Sequence, residues 1–195
     1  VVVRGGAAGI ELAFAFRSRF GSAACVTLIS KRPFEADAAW SASAKAIRRV
    51  LVDRGITCIE SQALVEATED SVALSDGRSV AADVICAATP VHPLGWILDS
   101  ALPTEQGFLA VNGFLQVQKQ SSLFAAGDIV SLASPRGRSG VMAVRAGQYL
   151  ADAIWKRPQG TMPHCFKPQQ RWLTLMNLGN GSAIAAKGRF ALKSP

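Results

Sequence analysis

The residues with the clearest chemical potential stand at the start of the chain, in Arg4-Gly5-Gly6-Ala7-Ala8-Gly9. The apolar run Val1-Val2-Val3 precedes them, and Ile10 to Phe20 follows with Ile10, Ala13 and Phe14 at helical spacing. A glycine turn between strand and helix presents backbone N–H groups and the positive end of the helix dipole, which together can cradle a pyrophosphate. Against the pattern G-x-G-x-x-G, Gly6 is the second glycine, where backbone approaches phosphate, and Gly9 the third, where helix approaches strand. Arg4 stands in the first position. The alternative is a glycine-rich connection that binds nothing. At the end of the second strand, where NAD sites place an acid for the ribose hydroxyls, the sequence reads Ser30-Lys31-Arg32. A hydroxyl and two cations suit the 2′-phosphate of NADPH better than a bare diol. The alternatives are that Lys31 and Arg32 are solvated loop charges, or that Glu35 or Asp37 serves the ribose.

Other chemistries find less support. Cys25, Cys58, Cys86 and Cys165 lie far apart with no Cys-x-x-Cys, so neither a zinc site nor a vicinal dithiol is spelled out; they read as small buried thiols. His92 and His164 each sit beside or near a proline in polar sequence, and no metal is expected. Twenty-one Lys and Arg against 14 Asp and Glu leave a charge of +7. That is compatible with phosphate-bearing cofactors or an anionic surface, but no recognition motif accompanies it and nucleic-acid binding is not expected.

These residues need a scaffold. The chain has 195 residues, 49% hydrophobic and 18% charged, with mean hydropathy +0.22, which favours a compact core over disorder. No run of 18 apolar residues suggests a membrane span. Val1 to Val3, Cys25 to Ile29 and Ile56 to Ile59 read as strands buried on both faces, with helices Ile10 to Phe20 and Ala38 to Arg54 between them: a βαβ succession and a parallel sheet. Gly55 closes the second helix. Ala63 to Thr68, Ser71 to Leu74 and Ser79 to Val80 read as an antiparallel meander turning at Asp76-Gly77, and Asp83 to Ala88 returns to the sheet. Gly107 to Val111 and Phe114 to Val117 flank the hairpin signal Asn112-Gly113. Leu123 to Asp128 reads as a short buried strand, and Gly140 to Trp155 as a helix. Pro158 to Pro168 is a linker, and Trp172 to Leu178 with Ala183 to Ala186 a last hairpin around Gly179-Asn180-Gly181-Ser182.

The order Val3-Arg4-Gly5-Gly6-Ala7-Ala8-Gly9-Ile10-Glu11-Leu12, Ala87-Ala88-Thr89-Pro90, Gly107-Phe108-Leu109-Ala110-Val111 and Leu123-Phe124-Ala125-Ala126-Gly127-Asp128 resembles the FAD-dependent pyridine nucleotide-disulfide oxidoreductase superfamily. The closing stretch, with Trp172-Leu173-Thr174-Leu175 and Gly179 to Ala185, is similar to the oxidoreductase domain associated with selenide, water dikinase, a relative of type II NADH dehydrogenases. The resemblance implies an α/β fold: a Rossmann-like parallel sheet with an antiparallel meander, then an incomplete FAD-binding portion and a C-terminal hairpin. It implies an NAD(P)-binding domain over 1–92, the C-terminal part of an FAD-binding domain over 93–160, and a linker and hairpin over 161–195. Gly5, Gly6, Ala7, Ala8 and Gly9 would hold the pyridine nucleotide, NADP or NAD, with Ser30, Lys31 and Arg32 at its ribose. Glu11 would lie near the nicotinamide, and Thr89 would line the cofactor. Gly127 and Asp128 would meet the ribityl chain of FAD, and Gly140 and Val141 the flavin ring. From the residue alone, without the other motifs, Asp128 reads in preference as a turn or N-cap aspartate.

The implied activity is hydride transfer from nicotinamide to flavin, with electrons leaving for a small-molecule acceptor such as a quinone. Arg4 for glycine, Pro90 for the glycine of Ala-Thr-Gly, and Asn180 for a common aspartate depart from the family pattern. Proline removes a backbone donor beside Thr89. A strand opening at Val1 reads as a fragment, with the first FAD-binding βαβ unit upstream, so the chain alone is expected to be inactive. A selenide, water dikinase domain in the parent, a cytoplasmic location and peripheral contact with the inner membrane face complete these expectations. A catalytically silent remnant acting as a nucleotide-binding or scaffold domain is the alternative.

Overall fold

The computed structural model describes every residue except 4, 37–40, 42, 89, 90, 133–138, 162, 163, 170–172, 188, 189, 194 and 195. It divides into two compact units, residues 1–90 with 171–195, and residues 91–170.

The first unit is built on a four-stranded parallel sheet of β1 (Val2–Val3), β2 (Thr27–Ser30), β3 (Thr57–Glu60) and β7 (Cys86–Ala87), in the order β3-β2-β1-β7. Val2 pairs with Leu28 and Cys86, and Ser30 with Glu60. Strand alternation sends successive side chains to opposite faces. Leu28 enters a core with the helices α1 (Ala7–Phe20) and α2 (Ala44–Asp53), while Ile29 packs with Val72 and Leu74 of the meander β4 (Leu64–Ala67), β5 (Ser71–Leu74) and β6 (Ser79–Ala81). Both faces of β2 are therefore buried, as its continuous apolar sequence requires.

Helix α1 buries Gly9, Ile10, Ala13 and Phe14, and ends at Gly21, whose φ of +56° puts it in the range that favours glycine. Helix α2 buries Ala44, Ile47, Val50 and Leu51; the expected start of this helix, Ala38, lies outside the described residues. Gly77, at φ +85°, makes the meander turn, with Asp76 Oδ1 accepting from the Arg78 amide at 3.1 Å.

The chain end supplies an antiparallel sheet of β11 (Thr174–Asn177), β12 (Ala183–Lys187) and β13 (Phe190–Lys193). Its third strand was not expected. Met176, Leu178 and Ile184 enter the core of α1 and α2. The Arg54 guanidinium stacks 5.3 Å from the Phe14 ring centre and donates to the Leu178 carbonyl.

The second unit holds α3 (Gly95–Asp99), absent from the sequence expectations, β8 (Thr104–Glu105), β9 (Phe108–Ala110), β10 (Val130–Ser131) and α4 (Gly140–Lys156). β8 and β9 form a tight hairpin through Gln106 and Gly107, both at positive φ. β10 lies parallel to β9 over a core of Ile97, Leu109, Val117, Ala125 and Val130.

Two expected strands take other forms. Gly127 turns at φ +81°, so the strand that joins β9 begins after Gly127-Asp128, at Val130. Residues 114–117 contribute bridges at Gln116 and Val117 rather than a full strand. Gly113 is used there for close approach, since a Cβ would stand 3.2 Å from Cys165 Sγ, and Leu115 takes the positive φ.

The thiols also differ from expectation. Cys25 and Cys165 are exposed, while Cys58 and Cys86 are half-buried. Cys25 precedes β2 rather than lying within it. Burial, reinforced by the charge of Glu60, pushes the Cys58 thiol up to about 11.

Candidate functional site

The strand order makes β1 the switch point of the parallel sheet, because the chain steps from β1 out to β2 and β3 and then returns on the opposite side as β7. In open α/β sheets ligands settle beyond the carboxyl ends of the strands at this place. The glycine turn leaves β1 there. Ser30 ends β2 on one side, and Ala88, donating its amide to the Val3 carbonyl at 3.1 Å, stands on the other.

Gly5 is buried, and a Cβ on it would lie 2.2 Å from Ser30 Oγ and 2.8 Å from Phe34 Cε1. The turn can thus close onto β2 only without a side chain. Gly6 is the N-cap of α1, with extended backbone and no capping side chain; its carbonyl accepts from the Ile10 amide at 3.0 Å. The first N–H groups of an α-helix have no partner within the helix. Ala7, Ala8 and Gly9 therefore offer donors at the switch point, and no acidic residue stands in that first turn. This donor set fits a pyrophosphate.

Around the end of β2 the structure sets the expected Ser30, Lys31, Arg32 and Glu35 beside two residues that the sequence did not single out, Arg48 and Glu60. Ser30 is 6% exposed, and its hydroxyl donates to the Arg32 carbonyl at 2.6 Å. Lys31 and Arg32 are exposed, and among the described residues neither makes an ion pair. Arg48 of α2 donates through Nη1 and Nη2 to the two oxygens of Glu35, at 2.7 and 3.0 Å. It also donates through Nε and Nη2 to Glu60, at 2.8 and 3.0 Å. The Phe34 amide donates to Glu60 Oε2 at 2.9 Å, and the Arg48 guanidinium lies 5.6 Å from the Phe34 ring centre. The Arg48 hydrogen bonds hold the Glu35 carboxyl down at about 2 and raise the Arg48 guanidinium above its ordinary value. The signal available in the sequence was the pairing of the second and third strand ends, which sets Glu60 opposite Ser30. Asp37 lies outside the described residues.

Glu11 accepts from the Asn177 amide at 2.8 Å and so ties α1 to β11. Thr89, with Arg4 and Pro90, lies outside the described residues.

In the second unit, Gly127 opens a single 3₁₀ turn to Ile129, in which Asp128 is exposed. A Cβ on Gly127 would touch Ala143 Cβ at 3.8 Å, so this turn lies against the start of α4. Ser139 caps that helix, its hydroxyl accepting from the Met142 amide at 3.4 Å, and Gly140 and Val141 are exposed. A carboxylate able to accept from polyol hydroxyls and a helix start that favours negative charge share one end of the unit. Both suit the ribityl and ring portions of a flavin. Among the described residues no three His, Cys, Asp or Glu side chains come together as a metal site.

An α/β sheet with a bare helix start at its switch point defines a dinucleotide-binding class. Residues 1–149 match the family of pyridine nucleotide-disulphide oxidoreductases, and the chain belongs to that family. Its members bind FAD and a pyridine nucleotide. The sulfide:quinone oxidoreductase of the hyperthermophilic bacterium Aquifex aeolicus superposes with a TM-score of 0.73 at 15% identity, over 98% of this chain and 52% of that one. Reduced CoADR-RHD of Bacillus anthracis gives 0.72 at 18% identity, over 95% and 33%. The NAD-dependent persulfide reductase of A. fulgidus gives 0.72 at 18%, over 95% and 35%. At these identities the likeness is one of fold. The chain spans between 33% and 52% of the length of these three structures. No curated protein matches it.

Proposed function

We propose that this chain supplies the pyridine-nucleotide site and part of the flavin site of an FAD-dependent NAD(P)H oxidoreductase. The activity passes hydride from nicotinamide to flavin, and electrons then leave for a small-molecule acceptor such as a quinone. The observation that carries the reading is the uncapped start of α1 at the switch point beside β1. The Ala7, Ala8 and Gly9 amides bind the pyrophosphate, and Gly5 lets the turn close onto β2. Lys31 and Arg32 meet a 2′-phosphate, so NADPH is preferred to NADH. In the second unit, Asp128 accepts from ribityl hydroxyls, while the amides at Gly140 and Val141 favour negative charge at the flavin ring. When bound, FAD would supply the two-electron chemistry.

The narrower kinship proposed, with the oxidoreductase domain associated with selenide, water dikinase, is supported by the residues of the closing stretch alone, Trp172-Leu173-Thr174-Leu175 and Gly179 to Ala185. A quinone acceptor is met at a membrane surface, so the reading extends to peripheral contact at the cytoplasmic face. Among the described residues no helix is long and apolar enough to cross a membrane.

Equilibrium titration of the chain with NADPH and NADH tests the nucleotide part. NADPH should bind tighter, by at most about fivefold per contact because both cations are exposed. The double variant Lys31→Ala/Arg32→Ala should lose that preference while NADH binding stays nearly unchanged. Equal affinity for the two nucleotides, or tighter NADH binding, in the native chain contradicts it.

A further inference from the structure

We infer that Arg48, on the helix behind the site, is a positioning residue that sets nucleotide choice by withholding two carboxylates from the ribose. The inference rests on the nucleotide site proposed above. Sites that take NAD use an acid at the end of the second strand to accept from the ribose diol. This chain has carboxylates at that edge despite the sequence Ser30-Lys31-Arg32. Glu60 ends β3 directly opposite Ser30, and Glu35 follows Ser30 in the connecting loop.

One guanidinium occupies both of them. Arg48 makes four hydrogen bonds to Glu35 and Glu60, at 2.7 to 3.0 Å. Those bonds occupy acceptor oxygens that a diol would need and offset part of the negative charge that would repel a 2′-phosphate. The same contacts fix the loop: Glu60 also accepts from the Phe34 amide, and the Phe34 ring packs where a Gly5 side chain would be. With both acids engaged, Lys31 and Arg32 set the sign of the local field.

A purely mechanical staple and a charge-withholding one predict different outcomes. Loss of a staple weakens both nucleotides alike, whereas release of the carboxylates changes their ratio. The test is titration of the native chain and of Arg48→Gln with NADP⁺ and NAD⁺, with far-UV circular dichroism to verify folding. Arg48→Gln should lower the NADP⁺ to NAD⁺ affinity ratio by about fivefold, the upper range for one exposed charge pair. Adding Glu35→Gln to that variant should restore much of the ratio. If Arg48→Gln does not fold, Arg48→Lys, which keeps the charge but cannot fork onto two carboxylates, should lower the ratio less. An unchanged ratio in the folded variant, with both affinities reduced equally, overturns the role of Arg48 and leaves the nucleotide site standing. A native chain that binds neither nucleotide overturns the site itself.

Discussion

Gly5 shows how much of the candidate site is decided by a missing atom. The sequence marks Gly6 and Gly9 through a known spacing, yet the tightest constraint falls on Gly5, where Ser30 and Phe34 already fill the space of a Cβ. That constraint depends on where a loop beyond the second strand folds back, and no local pattern encodes it. Glu35 is in view in the sequence as an alternative for the ribose, but its partner Arg48 and the second acid Glu60 are not: Arg48 lies 13 and 12 residues from them in sequence, and the three meet only through the β2–β3 pairing. Gly5→Ala should therefore destabilise the first unit by about 1–3 kcal/mol, the usual cost of overpacking a well-filled site. Urea denaturation should show a lower midpoint with an unchanged slope. An unchanged midpoint would mean that the turn yields to the added methyl group without cost.

At the scale of elements, the parts with strong periodicity were legible. Helix α1, the strands of the parallel sheet and the meander fall close to their expected places, because continuous apolar runs and the Asp76-Gly77 turn leave few alternatives. The expectation of a strand over Leu123 to Asp128 failed because a glycine at positive φ redirects the chain there. The third C-terminal strand is not legible in the sequence because Phe190–Lys193 is short and mixes a charged residue with apolar ones.

The docking of the C-terminal sheet on α1 was likewise not legible. It depends on Gly179, at φ +77°, where a Cβ would stand 2.7 Å from the Phe14 carbonyl oxygen, and on the Glu11 contact to the Asn177 amide. Gly179→Ala combines left-handed backbone strain of about 1 kcal/mol with that clash. Amide hydrogen exchange should then speed up in β11 and β12 while β2 and β3 keep their protection. Unaltered protection in β11 would show that the sheet is held without the close approach at Gly179.

Over the whole molecule, two units with separate cores each carry a helix start next to residues suited to one end of a cofactor. Family membership and the parallel sheet were legible because glycine spacing and apolar runs repeat a strand-turn-helix order. The return of residues 171–195 to the first unit was not, since it joins segments from opposite ends of the chain. The central claim is that the α1 start at the switch point binds a dinucleotide. Amide chemical-shift mapping of the ¹⁵N-labelled chain during titration with NADP⁺ tests it most directly. The largest shifts should fall on Gly6 to Gly9 and on Ser30 to Arg32, with the C-terminal sheet unaffected. Saturating NADP⁺ that leaves those amides unmoved, or moves residues elsewhere instead, would contradict it.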